Sequence, residues 1–241
     1  MEEPEFKNKT ILAVGAHPDD NDFGCGGTMA KAADQGARII YLVATNGQRG
    51  GNDPVLTGEK LATIRRTEQH QAAGLLGVTD VSFLDYMDGE LTANLELKEK
   101  IVRAIRRYQP EMVFTIDPSF FYYMESGMVN HSDHRAIGEA TLDACYPLAR
   151  DLLSFPDHAD EGLAPCKVRQ LFLHSLTLEK ANCFIDVSAY LHKKLEAIAM
   201  HRSQVGTDDR FASFITEKAV QAGEKAGCRF SEAFVRLQLP E

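Results

Sequence analysis

Two short clusters of histidine and aspartate hold most of the chemistry that this sequence can offer. The first is His17-Pro-Asp-Asp20, and the second is His131-Ser-Asp-His134. Imidazole nitrogens and carboxylate oxygens are ligands of zinc, and a hydrolytic zinc site takes three such ligands and keeps one position open for water. The residue types in the two clusters therefore indicate a metal site of the hydrolytic kind.

The expected metal ligands are His17, Asp20 and His134. His17 and Asp20 are three residues apart around a proline turn, so both side chains can face one point. His134 would supply the third ligand from a neighbouring strand end. Ligands of this kind suit several first-row metals, so we expect Zn²⁺, with Fe²⁺ or another divalent ion as the alternative.

Three more residues of the clusters are candidates for catalysis. Asp19 adjoins an expected ligand, and a carboxylate beside a metal-activated water is a good general base. His131 lies one helical turn before His134, where it would stabilise an oxyanion or protonate a leaving amine. We expect Asp133 to orient His131 and keep it protonated, because a nearby carboxylate raises the pKa of a histidine.

Each cluster taken alone also has a simpler interpretation. His17 to Asp20 could form only a turn with a helix N-cap, and two histidines three residues apart are common on helices by chance. The glycines of 24–27 suggest a dinucleotide site, but Met29 stands where the third glycine of that motif belongs. Carboxylates after the first strand would also repel a pyrophosphate. The complementary ligand count of the two clusters favours a metal, and the glycines would then let a helix start close beneath it.

Alternating apolar runs and helical patterns predict the fold that positions these clusters. Strands are predicted at 10–14, 37–44, 81–84, 112–116 and 168–174, and helices at 26–35, 59–76, 95–108, 133–148 and 188–202. This order predicts an α/β fold, with a Rossmann-like, doubly wound and mostly parallel sheet flanked by helices, as a single domain over 1–241. Ligands bind at the carboxyl ends of strands in such sheets, and both clusters follow predicted strands.

Composition limits the partners of the protein. The 26 basic and 35 acidic residues give a net charge of −9, which disfavours binding to nucleic acid or to an anionic membrane. The first residues are acidic where a signal peptide would be basic, and no apolar run is long enough for membrane insertion. The five cysteines are scattered and odd in number, as expected of reduced thiols in the cytoplasm. The sequence leaves open whether the protein forms a homo-oligomer.

The same motifs resemble those of the PIG-L/LmbE-type zinc-dependent deacetylases, which act on N-acetylglucosamine-type sugars and conjugates. The resemblance spans nearly the whole chain. Its matching pieces are Ala16-His-Pro-Asp-Asp20, Gly24-Cys-Gly-Gly-Thr28, Thr45-Asn-Gly-Gln-Arg-Gly50, Arg65 with Glu68, Asp88-Gly-Glu-Leu91, His131-Ser-Asp-His-Arg-Ala136, Ile185-Asp-Val-Ser188 and His201-Arg-Ser-Gln204.

The resemblance assigns roles to the matching positions. It implies that zinc is held by the three expected ligands, that Asp19 activates water, and that His131 acts as acid or oxyanion partner. It also implies that Arg65 and Asp88 contact sugar hydroxyls. Asn21 stands where the family usually has glutamate, which changes the hydrogen bonding expected beside the ligands.

Some interpretations stay open at this stage. Arg49 either lines the substrate cleft or is a solvated loop charge. The aromatic loop at 117–130 is expected to form a wall or lid, and its aromatic side chains either stack on a sugar or make packing contacts. The expected partner is a small N-acetylated sugar or glycoconjugate. The alternatives are an amidase acting on a different amide, such as a thiol conjugate, and a nucleotide-binding or metal-sensing module without catalysis.

Overall fold

The computed structural model describes residues 3–51, 55–124, 127–206 and 209–241. The strands in this part of the chain are β1 Thr10–Gly15, β2 Arg38–Thr45, β3 Asp80–Tyr86, β4 Met112–Ile116, β5 Tyr122–Tyr123, β6 Met128–Val129, β7 Gln170–His174, β8 Cys183–Asp186 and β9 Ser231–Gln238. The α-helices are α1 Asp20–Asp34, α2 Gly58–Leu76, α3 Leu95–Tyr108, α4 Ser132–Asp143, α5 Leu191–Met200, α6 Arg202–Val205 and α7 Arg210–Ala226.

Seven of these strands form one sheet in the order β3-β2-β1-β4-β7-β9-β8. The first five are parallel to one another, whereas β9 runs antiparallel to both β7 and β8. The order reverses between β1 and β4, so these two strands flank the switch point at which α/β sheets bind ligands. The other two strands, β5 and β6, form a small antiparallel hairpin.

Side-chain alternation along β1 shows why helices cover both faces of the sheet. Leu12 and Val14 belong to an apolar cluster that includes residues of α3 and α4. Ile11 and Ala13 belong to a second cluster, which includes residues of α1 and of β9. Because successive strand residues point to opposite faces, a strand buried on both sides reads as one continuous apolar run. The predicted doubly wound, mostly parallel α/β fold is confirmed.

The sheet has two more strands than predicted, and both lie beyond β7 at one side of the sheet. The two antiparallel strands β8 and β9 and the helices α6 and α7 were not expected from the sequence. β9 carries a buried glutamate, Glu232, whose carboxylate accepts hydrogen bonds from the N–H groups of Gly27 and Thr28 and pairs with Lys194 at 2.5 Å. This buried charge interrupts the apolar pattern by which a strand is normally identified.

Helix α1 begins six residues earlier than predicted and contains a break. It starts at Asp20, inside the first cluster, and Cys25 has non-helical angles (φ −142°, ψ 16°). The Glu232 carboxylate therefore caps the N–H groups of a second helical segment. Gly24 permits close packing here, because a Cβ at this position would overlap the ring of His174. Among the described helices, none is long and apolar enough to cross a membrane.

Candidate metal centre

The two clusters come together at the carboxyl ends of β1 and β4. His17 to Asp20 connect β1 to α1, and His131 is the N-cap residue of α4, which follows the β5–β6 hairpin. Since β1 and β4 are adjacent and parallel, the segments that leave them begin at the same edge of the sheet. The topology therefore brings together clusters that are more than a hundred residues apart in the chain.

The ligand atoms of His17, Asp20 and His134 lie within 4.8 Å of one another. Asp20 Oδ1 is 3.2 Å from His134 Nε2, and Asp20 Oδ2 is 3.4 Å from His17 Nδ1. The backbone N–H groups of Ala16 and His17 donate to Asp20 Oδ2 at 2.9 and 2.7 Å, which fixes the carboxylate. His134 Nδ1 lies 3.3 Å from Asn130 Oδ1, so its other nitrogen is the one that faces Asp20.

Carboxylates surround the far side of the His17 ring. His17 Nε2 is 3.2 Å from Asp133 Oδ2 and 3.2 Å from Asp88 Oδ1. Burial alone would lower the pKa of His17, but its hydrogen bonds to Asp133, Asp20 and Asp88 raise that pKa well above its ordinary value. The same carboxylates that favour a proton on His17 would also favour a metal cation beside it. The donor set, two imidazoles and one carboxylate backed by further carboxylates, therefore fits Zn²⁺.

A second group of ligand atoms overlaps the first. His17, Asp88 and His131 also lie within 4.8 Å of one another. In this group His17 would use Nε2, the nitrogen that already faces the buried carboxylate of Asp133. The first group uses the opposite nitrogen and leaves the contacts of Nε2 intact.

Asp19 has a backbone conformation that L-residues rarely adopt, with φ 111° and ψ −31°. Such a conformation costs on the order of 1–3 kcal/mol and persists only where its surroundings enforce it. The Asp19 carboxylate is 15% exposed and accepts a hydrogen bond from Arg65 Nη2 at 3.1 Å. Burial raises the pKa of Asp19 to about 6, although the charge of Arg65 opposes this shift.

His131 and Asp133 are adjacent to the expected ligands but are not joined through their side chains. The Asp133 carboxylate is fully buried and accepts from the N–H groups of Gly89 (2.7 Å) and Leu91 (3.2 Å), besides its contact with His17. Its backbone N–H donates to His131 Nδ1 at 3.2 Å. Burial, followed by the charge of His17, lowers the pKa of His131, and the Asp133 charge only opposes this.

The three residues expected to contact the substrate differ in how far their side chains are exposed. Arg65 is only 3% exposed, and its guanidinium donates to the carbonyls of Pro18 (2.7 Å) and Gly47 (3.0 Å) besides Asp19. Asp88 is buried against His17. Arg49 is half-exposed, pairs with Glu90 and donates to the Asp88 carbonyl. Whether these side chains contact a substrate stays a prediction.

The aromatic loop is described apart from residues 125–126. Tyr123 and Asn130 from this loop line an apolar cavity that also borders Asp20 and His134. Its outer side chains Phe121, Tyr122 and Met124 are 65%, 60% and 83% exposed. The loop thus forms one wall beside the expected ligands.

Two further histidines lie close to the site. His174 lines the same cavity, and burial lowers its pKa to about 4. His201 Nε2 is 2.7 Å from Asp22 Oδ2, in a fully buried pair. His201 belongs to the His201-Arg-Ser-Gln204 piece of the family resemblance, whereas His174 has no histidine at metal-ligand spacing and the sequence offered no signal for it. Asn21 points beneath the site, where its side-chain N–H donates to the Ala13 carbonyl at 3.3 Å.

Comparison with known proteins gives a consistent set of relatives. The profile of a family described as "PIG-L: GlcNAc-PI de-N-acetylase" matches residues 12–145. Diacetylchitobiose deacetylase of Thermococcus kodakarensis is 31% identical over 234 residues, which cover 96% of this chain and 84% of that protein. A probable N-acetyl-alpha-D-glucosaminyl L-malate deacetylase 2 of Bacillus anthracis is 27% identical over 208 residues, covering 82% of each chain.

A solved structure agrees in fold as well. N,N'-diacetylchitobiose deacetylase from Pyrococcus horikoshii, in complex with its inhibitor MPG, matches with a TM-score of 0.87 at 33% identity. The match covers 95% of this chain and 84% of that one.

Proposed function

We propose, from the premise that this chain belongs to the PIG-L family, that it is a metal-dependent hydrolase which removes the acetyl group from an N-acetylglucosamine-type sugar or conjugate. Membership rests on a family profile that covers more than half of the chain and on a deacetylase relative that is 31% identical over almost all of it. The observation that carries the proposal is the convergence of His17, Asp20 and His134 with Asp19 beside them.

Zn²⁺ is the proposed cofactor, with Fe²⁺ or another divalent ion as the alternative. We assign the ligands as His17, Asp20 and His134 rather than the overlapping group with Asp88 and His131. The reason is that this choice leaves the carboxylate contacts of His17 Nε2 in place, and a histidine ligand normally has such a partner on its second nitrogen. When bound, the ion supplies a Lewis acid for the amide carbonyl and lowers the pKa of a bound water.

The residues around the ligands would divide the proton transfers between them. Asp19 takes the proton of the attacking water, and Arg65 holds its carboxylate in place. His131, whose Nδ1 accepts from the Asp133 N–H, would donate through Nε2 to the oxygen of the tetrahedral intermediate, and the proton that Asp19 has taken would pass to the departing amine. Asp133 acts mainly through His17 and the 89–91 loop, and reaches His131 through its charge.

Recognition of the sugar is assigned to the rim of the site. Arg49, half-exposed between Glu90 and the Asp88 carbonyl, is well placed to reach a substrate hydroxyl. Asp88 and Arg65 are more deeply buried, so any contact that they make with the sugar would come at the bottom of the cleft. An amide of a different kind, such as a thiol conjugate, is the alternative substrate for the same metal site.

The experiment that tests the proposal is acetate release from a panel of N-acetylated sugars, including N,N'-diacetylchitobiose and N-acetylglucosamine, together with thiol-conjugate amides. We expect acetate from the sugars, with one divalent ion per chain by elemental analysis. Asp19→Asn should keep the metal and lose on the order of 10²–10⁴ in kcat, because a base is removed while all ligands stay. Wild-type turnover in Asp19→Asn would remove this residue from the mechanism.

A further inference from the structure

One peptide group, that between Pro18 and Asp19, is held at both of its polar ends by a single helix. Arg65 Nη2 donates to the Pro18 carbonyl at 2.7 Å, and Gln69 Oε1 accepts from the Asp19 N–H at 2.8 Å. Arg65 and Gln69 are four residues apart on α2, so they lie on the same face of this helix. The φ of Asp19 is the rotation between this peptide plane and the backbone that follows, which is held by α1 from Asp20 onward. The two hydrogen bonds therefore help to hold the rare φ of Asp19 and the direction of its carboxylate.

Gln69 is itself oriented by a buried hydrogen-bond chain. Its Nε2 donates to Asp22 Oδ2 at 2.8 Å, and the same oxygen lies 2.7 Å from His201 Nε2. All three side chains are fully buried, at 0% exposure. Because Asp22 offers only acceptors, it determines which end of the Gln69 amide faces Asp19, namely the oxygen.

We propose that Gln69, oriented by Asp22 and His201, is a positioning residue for the catalytic carboxylate of Asp19. This inference rests on the proposed function, in which Asp19 is the base. Gln69 touches the backbone of Asp19 and not the ligand atoms, so its loss would move the base without removing a metal ligand. An Asp19 that relaxes toward ordinary backbone angles would carry its carboxylate away from the attacking water.

A purely structural role predicts a different set of measurements. A residue that only stabilises the fold lowers the melting temperature and leaves the turnover of each folded molecule unchanged. A positioning residue lowers kcat at constant metal content, because small misplacements of reacting groups are costly in rate. Its effect must also vanish once the group that it positions is gone.

The principal test is Gln69→Met, which keeps side-chain length and helix propensity but removes both hydrogen bonds. We expect kcat for N,N'-diacetylchitobiose to fall on the order of 10²-fold, with KM and metal content near those of the wild type. The matched control is Gln71→Met, the same substitution at an exposed position of α2, which should retain wild-type kinetics. Wild-type kcat in Gln69→Met would overturn the inference.

A double-mutant cycle with Asp19→Asn separates this inference from the proposed function. If Gln69 acts through Asp19, adding Gln69→Met to Asp19→Asn should cause no further loss of rate. A full additional loss in the double variant would show that Gln69 acts elsewhere and overturn the inference. If Asp19→Asn retains the wild-type rate, the proposed base is wrong and the inference falls with it. If Gln69→Met retains the wild-type rate while Asp19→Asn loses it, the inference about Gln69 is wrong and the proposed function is unaffected.

A second set of substitutions, which exchanges hydrogen-bond donor and acceptor between residues 69 and 22, tests the inference if Gln69→Met does not fold. Gln69→Glu keeps the acceptor for Asp19 but faces the Asp22 carboxylate, so we expect low kcat. Adding Asp22→Asn replaces the shared acceptor by an amide N–H group, which can donate to the carboxylate of residue 69 and, with His201 in its Nδ1–H tautomer, to His201 Nε2, at unchanged formal charge of residues 22 and 69. We expect this double variant to recover about tenfold in kcat over Gln69→Glu. No recovery in a folded, metal-loaded double variant would count against the orienting chain.

Discussion

The guanidinium of Arg65 lies 3.1 Å from the carboxylate of Asp19, and Arg65 itself is almost completely buried. The same guanidinium nitrogen also donates to the Pro18 carbonyl, directly before Asp19 in the chain. Arg65 is therefore in contact with both the backbone and the side chain of the proposed base. This position makes it a support for Asp19, in addition to any contact with a sugar hydroxyl.

Replacing Arg65 by Met should therefore lower kcat more than it raises KM. The loss expected from a displaced base is on the order of 10²-fold in kcat, at unchanged metal content. Arg66→Met is the matched control, because Arg66 is the next residue of α2 but is half-exposed and pairs with Asp85. Steady-state kinetics on N,N'-diacetylchitobiose decides between the two roles. A large rise in KM at constant kcat would instead identify Arg65 as a substrate contact.

The sequence predicted the parallel core of the sheet well because those strands are buried on both faces. The bounds of α3 and β4 agree with the structure at both ends, since α3 is strongly amphipathic and β4 is an uninterrupted apolar run. β9 was missed because it mixes apolar residues with Glu232 and Arg236. The charge of Glu232 is tolerated there only through Lys194 and the α1 backbone, which are partners that no local pattern can reveal.

The residues of the site were predictable in type but not in their contacts. His17, Asp20 and His134 could be grouped from strand ends alone, because adjacent parallel strands deliver their following segments to one edge. The contacts of Asp133, which we expected to orient His131, could not be derived from the strand ends. The Asp133 carboxylate accepts hydrogen bonds from the backbone N–H groups of Gly89 and Leu91 instead. This contact depends on the three-dimensional course of the two chain segments that it joins.

Removing the metal should destabilise the protein through the same three side chains. An ion bound only by the folded state stabilises it by about 2.7 kcal/mol at a free concentration 100 times its dissociation constant. Chelation should therefore lower the melting temperature of the wild type and leave that of His134→Ala nearly unchanged. His192→Ala, at an exposed position, is the control and should respond like the wild type. An equal response of His134→Ala to chelation would place the ion elsewhere.

The contact of Gly24 with His174 predicts a large effect from one methyl group. Gly24→Ala forces a Cβ into the ring of His174, and overpacking of this kind costs about 1–3 kcal/mol. Gly74→Ala is the matched control, because a Cβ at this exposed position of α2 meets nothing within 4 Å. There the alanine should stabilise by roughly 1 kcal/mol through helix propensity. Urea unfolding measures both, and equal free energies for the two variants would contradict this packing.

The buried pair of His201 and Asp22 predicts how stability changes with pH. Burial alone would lower the pKa of His201, but the hydrogen bond and charge of Asp22, helped by the charges of Asp19 and Glu68, raise it above 6.5. A histidine whose pKa is raised on folding contributes stability that is fully present below its unfolded value. That contribution is lost as the pH rises through the folded value.

The free energy of unfolding of the wild type should therefore decline as the pH rises above 6.5, and His201→Gln should lack this part of the decline. Glutamine keeps a donor for Asp22 but cannot titrate. The measurement is urea unfolding of the chelated protein at several pH values, so that metal binding adds no pH dependence of its own. His192→Gln, at an exposed position, should follow the wild type. Parallel stability curves for the wild type and His201→Gln would mean that His201 binds its proton equally well in the folded and unfolded chain.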